Sequence, residues 1–300
     1  MLSERQLITI FCEIDDFCKE LSKNTTHPLL SSPKKGKRGP ACCLSISEIM
    51  LIQILFQMIG YRNFKTFYTG FLQKYWSKYF PTLPSYNRFV ELQNLALFPL
   101  TLFVQFRSGK KTGIYYIDSS CLSVCHLKRS KRHKTFEHIA QYGKTSVGWF
   151  FGLKIHLVIN NHGELIAFKV TQGNKHDSTA AESLLNSLNG LTFADKGYIG
   201  KKLFEKLLAR GLKLITRNRK NMKERLKLSS YEQQLLNQRG LIETVFNCLK
   251  HKYQIWHSRH RSVFNAMTNL VAALAAYVIE PLKLSSFKLL SESQNLLSAC

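Results

Sequence analysis

Apolar residues change their spacing twice along this chain. Up to about residue 24, Ile8, Phe11, Cys12, Ile14, Phe17, Cys18 and Leu21 recur mostly at three- and four-residue intervals, which predicts an amphipathic helix. Residues 22–40, rich in Pro, Gly, Ser and Lys, read as a linker or an exposed basic loop. Helical spacing resumes at Ser45, which with Glu48 makes a capping box, breaks at Gly60, and returns in two more helices, the last starting at Ser85 as N-cap. Short helices carrying Lys, Arg, Tyr and Asn suit a helix-turn-helix-like region that contacts DNA, a pattern any small helical bundle shares.

From Thr112 the period shortens. Strands are predicted over 113–124, 148–160 and 164–173, the last two joined in a hairpin by Asn161-His162-Gly163. A helix follows with Asp177 or Ser178 near its N-cap, then a strand ending at Asp195, a helix closed by Gly211, and a strand over 212–218. A basic stretch leads to a final helix from about Arg239. The order β-β-β-α-β-α-β-α predicts an α/β fold with a mixed five-stranded sheet. Its first three strands are antiparallel, the later ones parallel through helical crossovers, with helices flanking the sheet. That is the pattern of an RNase H-like domain. The expected division is 1–110 helical and DNA-binding, 111–285 catalytic, and 286–300 a tail.

Charge narrows the partners. Lys and Arg number 43 against 19 Asp and Glu, a net charge of +24 that fits nucleic acid or an anionic membrane surface. The apolar stretch over 267–282 is short for a membrane span and carries Asn269 and Glu280, so a buried helix is expected and no membrane. Acidic residues close behind the first apolar ones argue against a signal peptide. The eight cysteines form no C-x-x-C pair, and Cys121, Cys125 and His126 lack a second pair, so reduced thiols in an intracellular compartment are expected.

Three carboxylates carry the candidate chemistry. Asp118 interrupts an apolar strand, where an unpartnered charge costs several kcal/mol. Asp195 also follows an apolar strand run, and on neighbouring parallel strands the two would meet. Close anions repel unless a cation such as Mg²⁺ or Mn²⁺ neutralises them. Asp195 equally suits the start of a turn at Lys196-Gly197. On the last helix, Arg239, Glu243 and Lys250 fall within an arc of roughly 40°, beside an apolar stripe of Ile242, Val245, Phe246, Leu249 and Tyr253. A solvated Arg239–Glu243 pair has the same spacing.

Asp118, Asp195 and Glu243 together resemble the DDE triad of bacterial insertion-sequence transposases. Ile117-Asp118-Ser119-Ser120, the run from Gly173 to Ser178, Ala194-Asp195-Lys196-Gly197-Tyr198 and the Arg239, Glu243, Lys250 spacing match as well. The branch most similar is the group called, in words, nine-eighty-two. A neighbouring branch with a Tyr-Arg-Glu-Lys signature would carry Tyr at 236, where this chain has Leu236.

The resemblance covers about 112–280 and implies metal-dependent strand cleavage and strand transfer of a mobile element. Asp118, Asp195 and Glu243 would hold two Mg²⁺ or Mn²⁺ ions, with Asp118 shared between them. It further implies DNA partners, both terminal inverted repeats and target, a homo-oligomer assembled on DNA, and a cytoplasmic, nucleoid-associated bacterial protein. Arg239 and Lys250 would contact phosphates. Lys128, Arg129, Lys131 and Arg132, in the basic run after the first strand, would bind backbone. Trp256 is the aromatic expected to stack on an exposed base. His176 is a weaker candidate near the metal site. A same-fold nuclease that cuts without joining, and a decayed or domesticated DNA-binding regulator, are the alternatives.

Overall fold

The β-period segments form one sheet whose register decides where the carboxylates lie. In the computed structural model, which describes residues 2–24, 44–218, 227–256 and 260–281, the chain divides into two units. A helical unit contains the residues up to Arg107 together with Leu249–Glu280, and a sheet unit runs from Ser108 to Cys248.

In the helical unit, α1 (Glu4–Asn24) buries Leu7, Ile10, Ile14 and Phe17, while Ile8 is 50% exposed. The buried stripe therefore lies slightly around the helix from the one the sequence suggests. α2 (Ile46–Ile59) has the expected Ser45–Glu48 capping box and ends at Gly60, whose φ of 79° is the left-handed conformation that glycine adopts at little cost. A π-helical turn (Thr66–Leu72) runs into α3 (Gln73–Tyr75), and Ser85 caps α4 (Tyr86–Leu92) as expected. Next come a 3-10 turn and α5 (Leu97–Phe106). Residues 86–106 are long and apolar enough to cross a membrane by length and composition, yet Phe89, Leu92, Leu100, Phe103 and Val104 are buried in this bundle.

The sheet unit comprises β1 (Ile114–Cys125), β2 (Gln141–Lys144), β3 (Trp149–Asn160), β4 (Leu165–Gln172), α6 (Asp177–Leu184), β5 (Gly190–Ala194), α7 (Lys201–Leu208) and β6 (Leu212–Thr216). After these come α8 (Ser230–Asn237) and α9 (Gly240–His251). The final helix, α10 (Val263–Ile279), packs against α2 and α5 of the helical unit, whereas the sequence grouped it with the catalytic segment. Its alanines, Ala272, Ala273, Ala275 and Ala276, are fully buried and let neighbouring helices approach closely.

Strand order is β4-β3-β1-β5-β6, with the short β2 also on β3. β1, β3 and β4 pair antiparallel, and β1, β5 and β6 pair parallel. This is the RNase H-like arrangement, with β2 as a sixth strand absent from the expectation. The β3–β4 hairpin turns where predicted: Gly163 has φ 73°, and the Asn160 side-chain oxygen accepts from the His162 and Glu164 amides at 2.9 and 3.0 Å. One face of the sheet, with Tyr115, Ile117 and Val158, is covered by Ala180, Ala181 and Leu184 of α6 and Leu203 and Leu207 of α7. The basic segment over 219–226 lies outside the described residues. The C-terminal tail over 286–300 does too, as does most of the loop over 22–40.

Candidate active site

Alternation along β1 sends Tyr116 and Asp118 to the face opposite Tyr115 and Ile117. On that face the Tyr116 ring lies 5.7 Å from the Phe193 ring of β5, and its hydroxyl donates to Gln238 at 3.4 Å. The parallel register pairs Tyr116 with Phe193 and Ile117 with Ala194, so the next residues are Asp118, inside β1, and Asp195, just past the end of β5. The Asp118 Oδ1 accepts from the Ser119 amide at 2.8 Å. Asp195 begins a 3-10 turn through its carbonyl, which accepts from Tyr198 N at 3.0 Å, but its carboxylate caps nothing. The turn thus leaves that side chain available.

Glu243 stands on the first turn of α9. Arg239 bridges the acids: its Nη2 donates to Glu243 Oε1 at 2.7 Å and its Nη1 lies 3.5 Å from Asp118 Oδ2. Burial pushes the Asp118 carboxyl up from its ordinary value to about 6. The charges of Asp195 and Glu243 push the same way, and the Ser119 amide and Arg239 oppose them. All three carboxylates are therefore within electrostatic reach of one another through Asp118.

The donor chemistry fits a hard divalent cation, since only carboxylate oxygens are offered. A dication beside Asp118 would relieve the two anionic neighbours that raise its pKa. Among the described residues no three His, Cys, Asp or Glu side chains stand close enough to hold one ion together. In this arrangement the Arg239 guanidinium lies between two of the acids.

A family model described as transposase DDE domain matches residues 108–263, which contain Asp118, Asp195 and Glu243. The chain belongs to the transposase DDE domain family. This DDE transposase is an enzyme acting on DNA, and its family works with divalent metal ions. The match reaches the family and not the insertion-sequence branch. A solved cryo-EM structure, a piggyBac transposase synaptic complex with hairpin DNA, is 11% identical at a TM-score of 0.45, over 90% of this chain and 72% of that one. A comparison with curated proteins finds no match.

On the transposase's other sheet face lies a polar seam that the sequence did not reveal. His176 is the N-cap of α6, its Nδ1 accepting from Ser178 N at 3.3 Å. Asp177 pairs with Lys154 of β3 at 3.1 Å, and its other oxygen is 3.6 Å from where a Cβ on Gly197 would sit. Asp177 thereby underlies the turn that carries Asp195. Beside it, Tyr198 is buried, and burial followed by the charge of Asp177 raises its phenol. His156, opposite Ser119, is fully buried and bonds Thr171 through Nε2 at 2.9 Å.

Lys128, Arg129, Lys131 and Arg132 are exposed on a 3-10 turn (Leu127–Arg132) anchored by the buried Ser130, whose hydroxyl bonds Tyr142 at 2.5 Å. Near this turn in sequence, Tyr142 of β2 and Trp149 of β3 are 44% and 60% exposed, and Lys144 lies 5.8 Å from the Trp149 ring centre. Trp149 could be set aside from the sequence because most aromatics in strands are core, yet it is exposed. In the helical unit, Trp256 donates to the Lys250 carbonyl at 2.8 Å, and the Lys250 ammonium lies 5.0 Å from its ring centre. Its neighbours His257 and Arg259 lie outside the described residues.

Proposed function

We propose that Asp118, Asp195 and Glu243 are the ligands of two Mg²⁺ or Mn²⁺ ions, and that this chain cuts and rejoins DNA at the ends of a mobile element. What carries the reading is the parallel register, in which Asp118 and Asp195 directly follow the paired residues Ile117 and Ala194, with Glu243 within electrostatic reach. Two ions held there would activate an oxygen nucleophile and stabilise the leaving 3′ oxygen of a phosphodiester. The chain's own part is positional. Ser119 fixes one Asp118 oxygen through its amide, leaving the other to face Arg239. The 3-10 turn presents Asp195 without using its carboxylate. Arg239 holds Glu243 until a competing cation releases it, and can then meet a DNA phosphate.

Lys128, Arg129, Lys131 and Arg132 would lie along the DNA backbone, and paired element ends would require a homo-oligomer on DNA. The test is nicking of a duplex carrying an inverted repeat. Cleavage should need Mg²⁺ and vanish in Asp118→Asn while DNA binding persists. Joining of pre-cut ends to a target separates a transposase from a nuclease of the same fold. If Asp118→Asn still cuts, the ligand assignment fails, and binding without any cutting would favour a regulator.

A further inference from the structure

The helical unit holds a cleft of about 930 Å³ whose lining is unusual for a bundle core. Its floor is amide. Gln53 and Gln57 of α2, Gln93 of the 3-10 turn and Asn269 of α10 are all buried. Gln53 donates to Gln93 at 3.0 Å, and Gln57 donates to Asn269 at 2.7 Å. These bonds leave capacity over. Among the described residues nothing accepts from the Gln93 side-chain nitrogen, and nothing donates to the Gln57 side-chain oxygen. Neither atom is fully enclosed, so both open onto the cleft, free to meet water or a ligand.

The wall is aromatic. Phe64 stacks on Phe89 at 5.5 Å and lies 6.3 Å from Tyr86, with Tyr61 on the same cleft. The rim is cationic: Arg62, Lys65 and Arg261 are exposed and make no ion pair among the described residues. The cleft's other lysine, Lys252, pairs with Glu280, and its acid, Glu91, pairs with Arg88 at 2.7 Å.

Amides that read base edges, rings that stack on base faces and cations that meet phosphate are the three elements of nucleotide recognition. The volume is of small-ligand size, too small for a duplex and sufficient for one or two nucleotides. We propose that this cleft receives an unpaired nucleotide of a DNA strand, with its base against the amide floor and its phosphate at Arg62, Lys65 and Arg261. The assignment rests on the DNA-processing reading only for the source of the nucleotide. A free nucleoside monophosphate shares the chemistry.

The experiment uses the full chain in EDTA, so the carboxylate site takes no part. A single-stranded octamer carrying one 5-iodo-2′-deoxyuridine is titrated by fluorescence anisotropy and photo-cross-linked, and the adducts are mapped by mass spectrometry. Adducts on Tyr61, Phe64 or Tyr86 are expected. An Arg62→Ala/Arg261→Ala variant should bind about tenfold more weakly and lose those adducts, with its thermal midpoint unchanged. Asn87→Ala, at an exposed rim residue, should weaken binding without altering folding. Asp118→Asn should bind like wild type, so loss of nicking and loss of this binding are read separately. Suppression of the adducts by equimolar dTMP would assign the pocket to free nucleotides. Suppression only by single-stranded DNA would assign it to a strand. Adducts confined to other residues, unchanged affinity in the double arginine variant, or equal adducts from the matching duplex would overturn the proposal.

Discussion

Lowering the pH should weaken the sheet unit through a single imidazole. His156 is fully buried, and burial depresses its pKa from 6.5 to about 4. The groups facing it divide: Asp177 favours the charged ring, whereas Lys154 and Lys169 oppose it. A histidine whose folded pKa is depressed stabilises the fold fully above its unfolded pKa and loses that contribution as pH falls toward the folded value. With pKa values of 6.5 unfolded and about 4 folded, the loss between pH 7 and pH 4.5 is about 2 kcal/mol. His156→Gln keeps a side-chain N–H for Thr171, whose Oγ1 now lies 2.9 Å from the ring nitrogen, and removes the titration. Urea titrations read by hydrogen exchange of peptides from β1 and β3 isolate this unit from the helical one. Wild type should lose about 2 kcal/mol more than His156→Gln across that interval. Equal losses in the two proteins would refute the reasoning.

Arg239→Ala removes the cation between Asp118 and Glu243, so the metal-free protein should lose roughly 1–3 kcal/mol in urea unfolding, and saturating Mg²⁺ should shrink that deficit. Asp177→Asn breaks the pair with Lys154 beneath the Asp195 turn; hydrogen exchange over residues 195–199 should accelerate several-fold, while exchange in α10 stays as in wild type. Ser45→Ala removes the side-chain oxygen that accepts from the Glu48 amide, while the backbone bond to the Glu48 carboxylate stays, and should lower the stability of the helical unit by about 1 kcal/mol by denaturant midpoint.

What the sequence revealed follows from which interactions are local. The capping box at Ser45, the cap at Ser85 and the hairpin at Asn161–Gly163 each depend on a few consecutive residues and are where the pattern put them; Gly211 is left-handed as a stop should be, but one residue later than expected, since α7 is capped at Ala209. Asp118 and Asp195 were legible because a carboxylate at the end of an apolar strand run is costly on its own. α10 read as a buried helix, but a run of apolar residues does not say which core it enters. The reach of Arg239 to Asp118 crosses most of the sheet unit's chain length, and i,i+4 spacing reported only its bond to Glu243. β2 is four residues long with a glycine inside, too short for alternation to register, and the exposure of Tyr142 and Trp149 did not show because an aromatic in or beside a strand is more often core.

The amide floor of the helical unit was equally out of view, since its residues come from α2, the 3-10 turn and α10. Amides scattered through two apolar helices and a 3-10 turn look like surface positions until these elements are assembled. The acidic site has the opposite logic. In a chain with 19 acidic residues against 43 basic ones, nearby cations for an isolated carboxylate are plentiful. Burial instead forces the Asp118 carboxyl up to about 6; the charges of Asp195 and Glu243 add to that, with the Ser119 amide and one arginine as partial relief. An apolar residue at 118 would fold β1 at lower cost. A divalent cation at the proposed site would offset that cost more than a guanidinium does.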